Sequence, residues 1–336
     1  MSRVLVTGGS GFVAGWCIAQ LLDANHDVVA TVRSAERATE ARAAIDRHRG
    51  SSAGLEFATA DLMSDSGWDD AMSGCDAVLH VASPLSSDDD PDGLVAAARD
   101  GTLRVLAAAD RAGVKRVVLT SSCAAATPYS AQLTGRVDET LWTDSDETGL
   151  AAYRRSKVLA ERAAWEFAAG DRSFGLTTLL PAAVFGPALS ESSLGSLQII
   201  ASLLDGSAMA MPHLGFEVVD VRDVAAAHLL AMDSADAAGE RFILSGELVW
   251  FEDAATMLRD HLGSDTAKVP TATLTDDEFR SLADAIPQLQ TLLPLLGREL
   301  LHSPAKAERL LGWRARPALD TIVDSARCLV GYGAAG

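Results

Sequence analysis

The chain alternates between short runs of β-branched and apolar residues and longer segments in which apolar residues recur at helical spacing. The short runs lie at 3–7, 27–32, 55–60, 76–81, 115–120 and 175–180. The longer segments lie at 12–24, from about 35 to 48, at 91–112 and around 148–169. Strands that alternate with helices in this way predict a parallel sheet that is covered by helices on both faces.

The alternation loosens after about residue 186. Short strands are predicted at 218–221 and 241–244, and two Ala- and Leu-rich helices, near 223–233 and 251–262, are expected to pack on the sheet. Several prolines interrupt Leu-rich pieces in 264–304, which is typical of a smaller lobe.

We therefore predict an α/β fold: a doubly wound parallel (Rossmann) sheet with a smaller, mostly helical C-terminal substrate lobe. The dinucleotide-binding domain is expected in 1–186, with 216–262 returning to the sheet region. The substrate lobe is expected in 187–215 and 263–336.

Glycines follow the first predicted strand at once. Gly8 permits a tight turn, Gly11 permits close backbone approach to a pyrophosphate, and the helix that begins near Phe12 points its N-terminus at that phosphate. No Lys-Ser/Thr pair follows the glycines, which disfavours a P-loop nucleotide hydrolase. The alternative is an ordinary glycine-rich turn.

The end of the second strand bears on the choice of nucleotide. An NAD site normally places Asp or Glu there, whereas this chain has Arg33, with Arg37 one turn further on. A guanidinium can hold a 2′-phosphate through two hydrogen bonds, so the sequence favours NADPH over NADH. The alternative is that both arginines are solvated surface charges.

Tyr153 and Lys157 have the four-residue spacing that places two side chains on one face of a helix. An ammonium beside a phenol favours the phenolate and suits the tyrosine to proton transfer. Ser121 and Ser122 follow the fifth strand, where a hydroxyl could hold a substrate carbonyl. The alternative is that these serines are turn residues.

Several separate motifs occur in order, and together they resemble the extended short-chain dehydrogenases/reductases, in the dihydroflavonol reductase-like and NADPH-dependent ketoreductase-like branch. The motifs are VTGGSGFVAG (6–15), TVRS (31–34), DL (61–62), AVLHVASP (77–84), VVLTSSCAA (117–125), DETLWTD (138–144), YRRSKVLAE (153–161), PAAVFGP (181–187) and VDVRDVAAAH (219–228). Ala14 replaces the third glycine of the first motif. The Tyr-Gly that often follows the serine in sugar-nucleotide epimerases is absent.

The resemblance implies a role for each matching residue. Tyr153 would be the general acid, Lys157 would tune it and bind the nicotinamide ribose, and Ser122 would polarise the carbonyl. The predicted cofactor contacts are Gly8, Gly11, Phe12, Val13, Arg33, Arg37, Asp61, Leu62, Val81, Ala82, Ser83, Thr120, Tyr153, Lys157, Pro181, Ala182 and Val184. The predicted substrate contacts are Ser122, Tyr153 and Phe185, and no metal is expected.

Composition and charge limit the classes of binding partner and the compartment that are expected for this chain. The net charge of the 336 residues is −18, and neither half offers a basic patch, so nucleic acid and anionic membrane surfaces are not expected as partners. No uncharged apolar run is long enough for a membrane span, and the N-terminal apolar run is too short for a signal peptide. The four cysteines form no CxxC pair, which suits a reducing cytoplasm. Monomer and homodimer both remain open.

Together these features predict an NADPH-dependent carbonyl reductase that interconverts an aldehyde or ketone and its alcohol. The expected substrate is a hydrophobic or aromatic carbonyl compound, because the second lobe is apolar. An NAD(P)-dependent sugar-nucleotide epimerase and a 3β-hydroxysteroid-type dehydrogenase are the alternatives on the same fold. A redox sensor that binds NADPH without catalysis is a third hypothesis.

Overall fold

The computed structural model describes residues 1–84, 90–128, 135–191 and 195–332. Its strands, in chain order, are β1 (Arg3–Val6), β2 (Asp27–Val32), β3 (Leu55–Thr59), β4 (Ala77–His80), β5 (Arg116–Thr120), β6 (Gly135–Val137), β7 (Gly175–Pro181), β8 (Ala183–Phe185), β9 (Gly215–Asp220), β10 (Arg241–Leu244), β11 (Leu248–Trp250) and β12 (Leu300–His302).

The α-helices are α1 (Phe12–Asp23), α2 (Ala35–Arg49), α3 (Trp68–Met72), α4 (Pro91–Ala112), α5 (Ala152–Ala168), α6 (Leu197–Asp205), α7 (Val221–Asp233), α8 (Phe251–Leu262), α9 (Asp276–Ala285), α10 (Ala305–Leu311) and α11 (Ala318–Gly331). In the described part of the chain, no helix is both long and apolar enough to cross a bilayer.

Seven of the strands form one parallel sheet in the order β10-β7-β5-β4-β1-β2-β3. The strand order reverses between β1 and β4, and in such sheets ligands bind in the crevice outside the carboxyl ends of the strands at this point. The predicted doubly wound parallel sheet is therefore confirmed, and the observed ends of its elements lie within a few residues of the predicted ones.

The two faces of this sheet bury alternate residues of each strand. Val4 and Val6 pack on the side of α1 and α7, whereas Leu5 packs on the side of α3 and α4. Because both faces are covered, the strands have the nearly continuous apolar composition from which they were predicted.

A second, smaller packing unit contains β8, β9 and β11, which form their own three-stranded sheet. Helix α8 packs against α11 in this unit through Ala254, Ala255 and Leu258, which lie in one core with Ile322. The expectation that both helices near 223–233 and 251–262 pack on the main sheet therefore holds for α7 alone, because the apolar stripe of α8 faces α11.

Within the predicted returning segment 216–262, α7 and β10 rejoin the main sheet, while β9, β11 and α8 belong to the smaller unit. Strand β12 pairs with β6, which joins two segments of three residues each. The division of the chain into two domains stays a prediction.

Candidate functional site

The predicted cofactor-binding segments meet at one edge of the main sheet. Gly8 follows β1, Arg33 follows β2, Asp61 follows β3, Val81 follows β4, and Pro181 ends β7. Because these strands are parallel, all five positions lie at the carboxyl end of the sheet. The fold thus brings together segments that are far apart in the sequence.

The glycine loop is tightly packed against the sheet. Gly8 has φ +70°, and a Cβ on it would lie 3.0 Å from the Cβ of Ala82. The Gly11 amide donates to the Gly8 carbonyl at 2.8 Å. Gly11 is the residue directly before α1, and it has no side chain that could accept from the amides of the first helical turn. The loop therefore fits a pyrophosphate at the helix N-terminus.

Thr7 joins this loop to the end of β4. Its hydroxyl accepts from the amides of Val81 and Ala82, at 3.0 and 2.9 Å, and lies 2.8 Å from Nδ1 of His80. With both lone pairs occupied, the hydroxyl donates its proton to Nδ1. Burial, assisted by the charge of Lys157, lowers the pKa of His80 to about 3. His80 is thus a neutral packing residue at neutral pH.

The two arginines lie on the β2 side of the crevice. Arg33 is exposed directly after β2. Arg37 lies in the first turn of α2, with its guanidinium 2.9 Å from the Glu40 carboxylate and 42% of its side chain exposed. On the next strand, the Asp61 carboxylate accepts from the Met63 amide at 2.9 Å and so shapes the turn after β3. Both guanidinium groups are therefore accessible to an anionic ligand that enters from solvent.

Tyr153 and Lys157 lie on the first turns of α5. The Lys157 ammonium is 5.8 Å from the centroid of the Tyr153 ring. Tyr153 is 39% exposed, whereas Lys157 is 8% exposed. The tyrosine can therefore meet a substrate, while the lysine provides a largely desolvated positive charge beside it.

Ser122 follows β5 in extended conformation and is half-buried. Its hydroxyl oxygen accepts from the Ala124 amide at 3.1 Å and so begins the 3₁₀ turn Cys123–Ala126. Because this bond uses the oxygen as acceptor, the hydroxyl proton remains available for donation to a carbonyl oxygen.

A buried network that the sequence analysis missed lies behind the serine. The Glu161 carboxylate accepts from the Ser121 hydroxyl at 2.6 Å, from the Thr178 hydroxyl at 2.7 Å and from Arg241 Nε at 2.8 Å. The Arg241 guanidinium stacks on Trp142 at 3.6 Å. Glu161 continues the four-residue spacing of the Tyr–Lys pair, which was a usable signal. Arg241 gave none, because it is 80 residues away.

A second network, also missed, holds the 3₁₀ turn from the other side. The Thr127 hydroxyl donates to the Cys123 carbonyl and accepts from His302 Nε2 at 2.8 Å. His302 Nδ1 in turn bonds the buried carboxylate of Glu217. This chain of contacts connects the turn after Ser122 to β9 and β12.

One predicted contact needs correction, and a second has a buried partner of its own. Phe185 has no exposed surface and packs in the core of the smaller unit, with its ring 5.1 Å from that of Phe216, so a substrate does not reach it in this conformation. The Thr120 hydroxyl bonds Nε2 of His228 at 2.7 Å, and His228 Nδ1 donates to the Val224 carbonyl. Nε2 of the neutral ring therefore accepts the Thr120 hydroxyl proton, and the cofactor contact expected at Thr120 stays a prediction.

No group of three or more His, Cys, Asp or Glu side chains that could hold a metal ion occurs in residues 1–84, 90–128, 135–191 and 195–332. The predicted contacts at Phe12, Val13, Leu62, Ser83, Ala182 and Val184 all lie partly exposed at the carboxyl edge of the sheet or beside the glycine loop.

Comparison with known proteins gives a consistent set of relatives. The profile of the NAD dependent epimerase/dehydratase family matches residues 4–244. Cinnamoyl-CoA reductase CAD2 of Medicago truncatula is 36% identical over 264 residues, which cover 76% of this chain and 80% of the relative. Dihydroflavonol 4-reductase of Zea mays is 34% identical over 270 residues, or 76% of this chain and 73% of the relative.

Among solved structures, yeast methylglyoxal/isovaleraldehyde reductase Gre2 complexed with NADPH superposes with a TM-score of 0.81. The two chains are 26% identical, and the match covers 99% of each.

Proposed function

The chain belongs to the NAD dependent epimerase/dehydratase family, and on that premise we propose that it is an NADPH-dependent carbonyl reductase that uses Ser122, Tyr153 and Lys157 on a hydrophobic or aromatic substrate. One observation supports the proposal above all: α5, which carries the Tyr–Lys pair, packs against the 3₁₀ turn that Ser122 begins, and the Lys157 charge acts on His80 at the carboxyl end of β4.

Bound NADPH supplies the hydride that reduces the carbonyl carbon. The Ser122 hydroxyl, whose oxygen is already engaged by the Ala124 amide, donates its proton in a hydrogen bond to the carbonyl oxygen. The partly exposed Tyr153 phenol transfers its proton to that oxygen as negative charge develops there. The Lys157 ammonium stabilises the charge left on the phenol oxygen.

The residues present fit this cofactor. The glycine loop and the first turn of α1 suit a pyrophosphate, as described above. Arg33 and Arg37 would hold the 2′-phosphate, which NADH lacks. Arg37 must then leave or share its contact with Glu40. This exchange costs little, because an ion pair between exposed groups contributes only about 0–1 kcal/mol.

The substrate class rests on the relatives and on the apolar smaller unit. The relatives are named for cinnamoyl-CoA and dihydroflavonol, and the yeast enzyme for methylglyoxal and isovaleraldehyde. These names support a small-molecule carbonyl substrate. They span aromatic and short aliphatic compounds, so a test panel needs both kinds.

The test measures NADPH oxidation with aromatic ketones, flavanonols, diketones and aldehydes, with NADH in parallel. Tyr153→Phe is expected to lower kcat by about 10²–10⁴-fold with a much smaller change in NADPH binding, because the ring remains and only the hydroxyl is lost. Tyr332→Phe is the matched control. It also removes one tyrosine hydroxyl, but that hydroxyl donates to the Ala188 carbonyl and has no proposed role in catalysis.

Full NADPH-dependent reduction by Tyr153→Phe would refute the assignment. A strong preference for NADH would contradict the role of the arginines. Tight retention of NAD through turnover of a sugar nucleotide would favour the epimerase alternative.

A further inference from the structure

Glu161 connects helix α5 to three strand segments through one carboxylate. It is 1% exposed, and its oxygens accept from residues on three different strand segments: Ser121 after β5, Thr178 in β7 and Arg241 in β10. Arg241 supplies a second donor, Nη2, at 3.3 Å and balances the buried charge. A carboxylate so fully bonded has little freedom to move.

The first of these bonds acts on the neighbour of the proposed catalytic serine. Ser121 and Ser122 are consecutive, and Ser122 has the extended dihedral angles φ −160° and ψ 152°. Successive side chains in extended backbone point to opposite sides. Because Ser121 and Ser122 are adjacent, the bond that holds the Ser121 side chain on Glu161 also fixes the backbone from which the Ser122 side chain projects.

Glu161 also belongs to the helix that carries the other two groups. It lies four residues after Lys157 and eight after Tyr153 on α5, so the three side chains share one helix face. Any movement of α5 relative to the end of β5 would have to break the bond between Glu161 and Ser121. The carboxylate thus ties the helix that carries the Tyr–Lys pair to the residue directly before Ser122.

We propose that Glu161, held by Arg241, is a positioning residue that fixes Ser122 against the Tyr–Lys pair through Ser121. The proposal rests on the carbonyl reductase function given above. It does not give Glu161 any contact with the substrate or the cofactor.

Two variants that each remove one hydroxyl from the same carboxylate provide the test. Ser121→Ala removes the bond that orients Ser122, and Thr178→Val removes the bond from β7 without a change in side-chain shape. Both side chains are buried, so both variants should lose similar stability. Ser121→Ala is expected to lower kcat by about tenfold or more with an unchanged NADPH Kd, since small misplacements of reacting groups cost up to about 10²-fold. Thr178→Val should keep kcat within about twofold.

Equal kcat values in the two folded variants would overturn the proposal, because Glu161 would then serve stability alone. Crystal structures of both variants give a second readout that needs no substrate. Displacement of the Ser122 hydroxyl in Ser121→Ala only is the expected result, and an unmoved Ser122 would overturn the proposal. If the wild-type chain reduces no carbonyl in the panel, the proposed function fails, and these structures still decide the positioning role.

Discussion

Replacement of Arg241 by methionine would leave the Glu161 carboxylate buried without its counter-charge. The two groups meet at 2.8 Å between Arg241 Nε and Glu161 Oε1, and Arg241 is itself only 8% exposed. Methionine keeps much of the length of the side chain and its contact with Trp142, so the variant removes the charge and the hydrogen bonds to the Glu139 and Leu141 carbonyls. We expect this variant to be among the more destabilising single changes in the chain.

The magnitude follows from what remains around the carboxylate. Removal of one partner of a buried ion pair costs about 3–5 kcal/mol. The hydroxyls of Ser121 and Thr178 still donate to Glu161, which favours the lower end, so we expect a loss of about 3 kcal/mol in the free energy of unfolding. That is a large part of the ~5–15 kcal/mol by which domains are stable.

Urea unfolding of the cofactor-free protein measures this loss. Arg280→Met is the matched control, because Arg280 pairs with Asp277 at the surface, where both side chains are more than half exposed, and such pairs contribute about 0–1 kcal/mol. The double variant Glu161→Gln/Arg241→Met removes both charges and should be more stable than Arg241→Met alone.

Two results would refute this reasoning. One is a loss in Arg241→Met no larger than that in Arg280→Met, which would mean that Glu161 does not need a counter-charge. The other is a double variant that is destabilised by the sum of the two single changes, which would mean that the charges do not interact.

Three further predictions concern the cofactor, the core and pH. Arg33→Ala and Arg37→Ala should each raise the KM for NADPH about tenfold or more and leave that for NADH nearly unchanged, because each removes a charged hydrogen bond to the 2′-phosphate; steady-state kinetics with both cofactors checks this. Phe185→Leu should cost about 1 kcal/mol of stability and leave the carbonyl KM unchanged, and a changed KM would contradict its place in the core. Burial lowers the pKa of His80 to about 3 and of His228 to about 4, so the unfolded chain takes up protons below pH ~6.5 that the folded chain does not. Stability should therefore be full above that pH and fall towards pH 4, by at most about 1.4 kcal/mol per pH unit for each histidine, and urea midpoints should show a weaker fall in His228→Gln.

Local signals explain why much of the main sheet could be predicted. Strand β2 begins and ends at the predicted residues, because a run of β-branched residues buried on both faces has few other conformations. Helix α4 also has its predicted ends: Asp90 caps it, Pro91 opens it and Gly113 ends it with φ +73°. In both cases the residues that determine the element lie within it or next to it.

The missed features depend on partners that are far away in the sequence. Strands β6 and β12 have three residues each and exist only because they pair with each other. The motif suggested that Phe185 faces a substrate, but its direction is set by packing against Phe216. The role of Glu161 likewise depends on Arg241, which follows it by 80 residues. No local pattern contains this information.

Both missed networks end next to the same residue. Ser121, directly before Ser122, donates its hydroxyl proton to Glu161. Directly after Ser122, the Cys123 carbonyl accepts from the Thr127 hydroxyl, which in turn accepts from His302. One anchor comes from α5 and the main sheet, and the other comes from His302 in β12 and Glu217 in β9. The position of a bound carbonyl oxygen would therefore be fixed by buried polar contacts on both sides of the serine. On this reasoning, substitutions in the smaller unit that keep the bond between His302 and Glu217 can alter the substrate without loss of the catalytic geometry, whereas loss of that bond should lower kcat for every substrate alike.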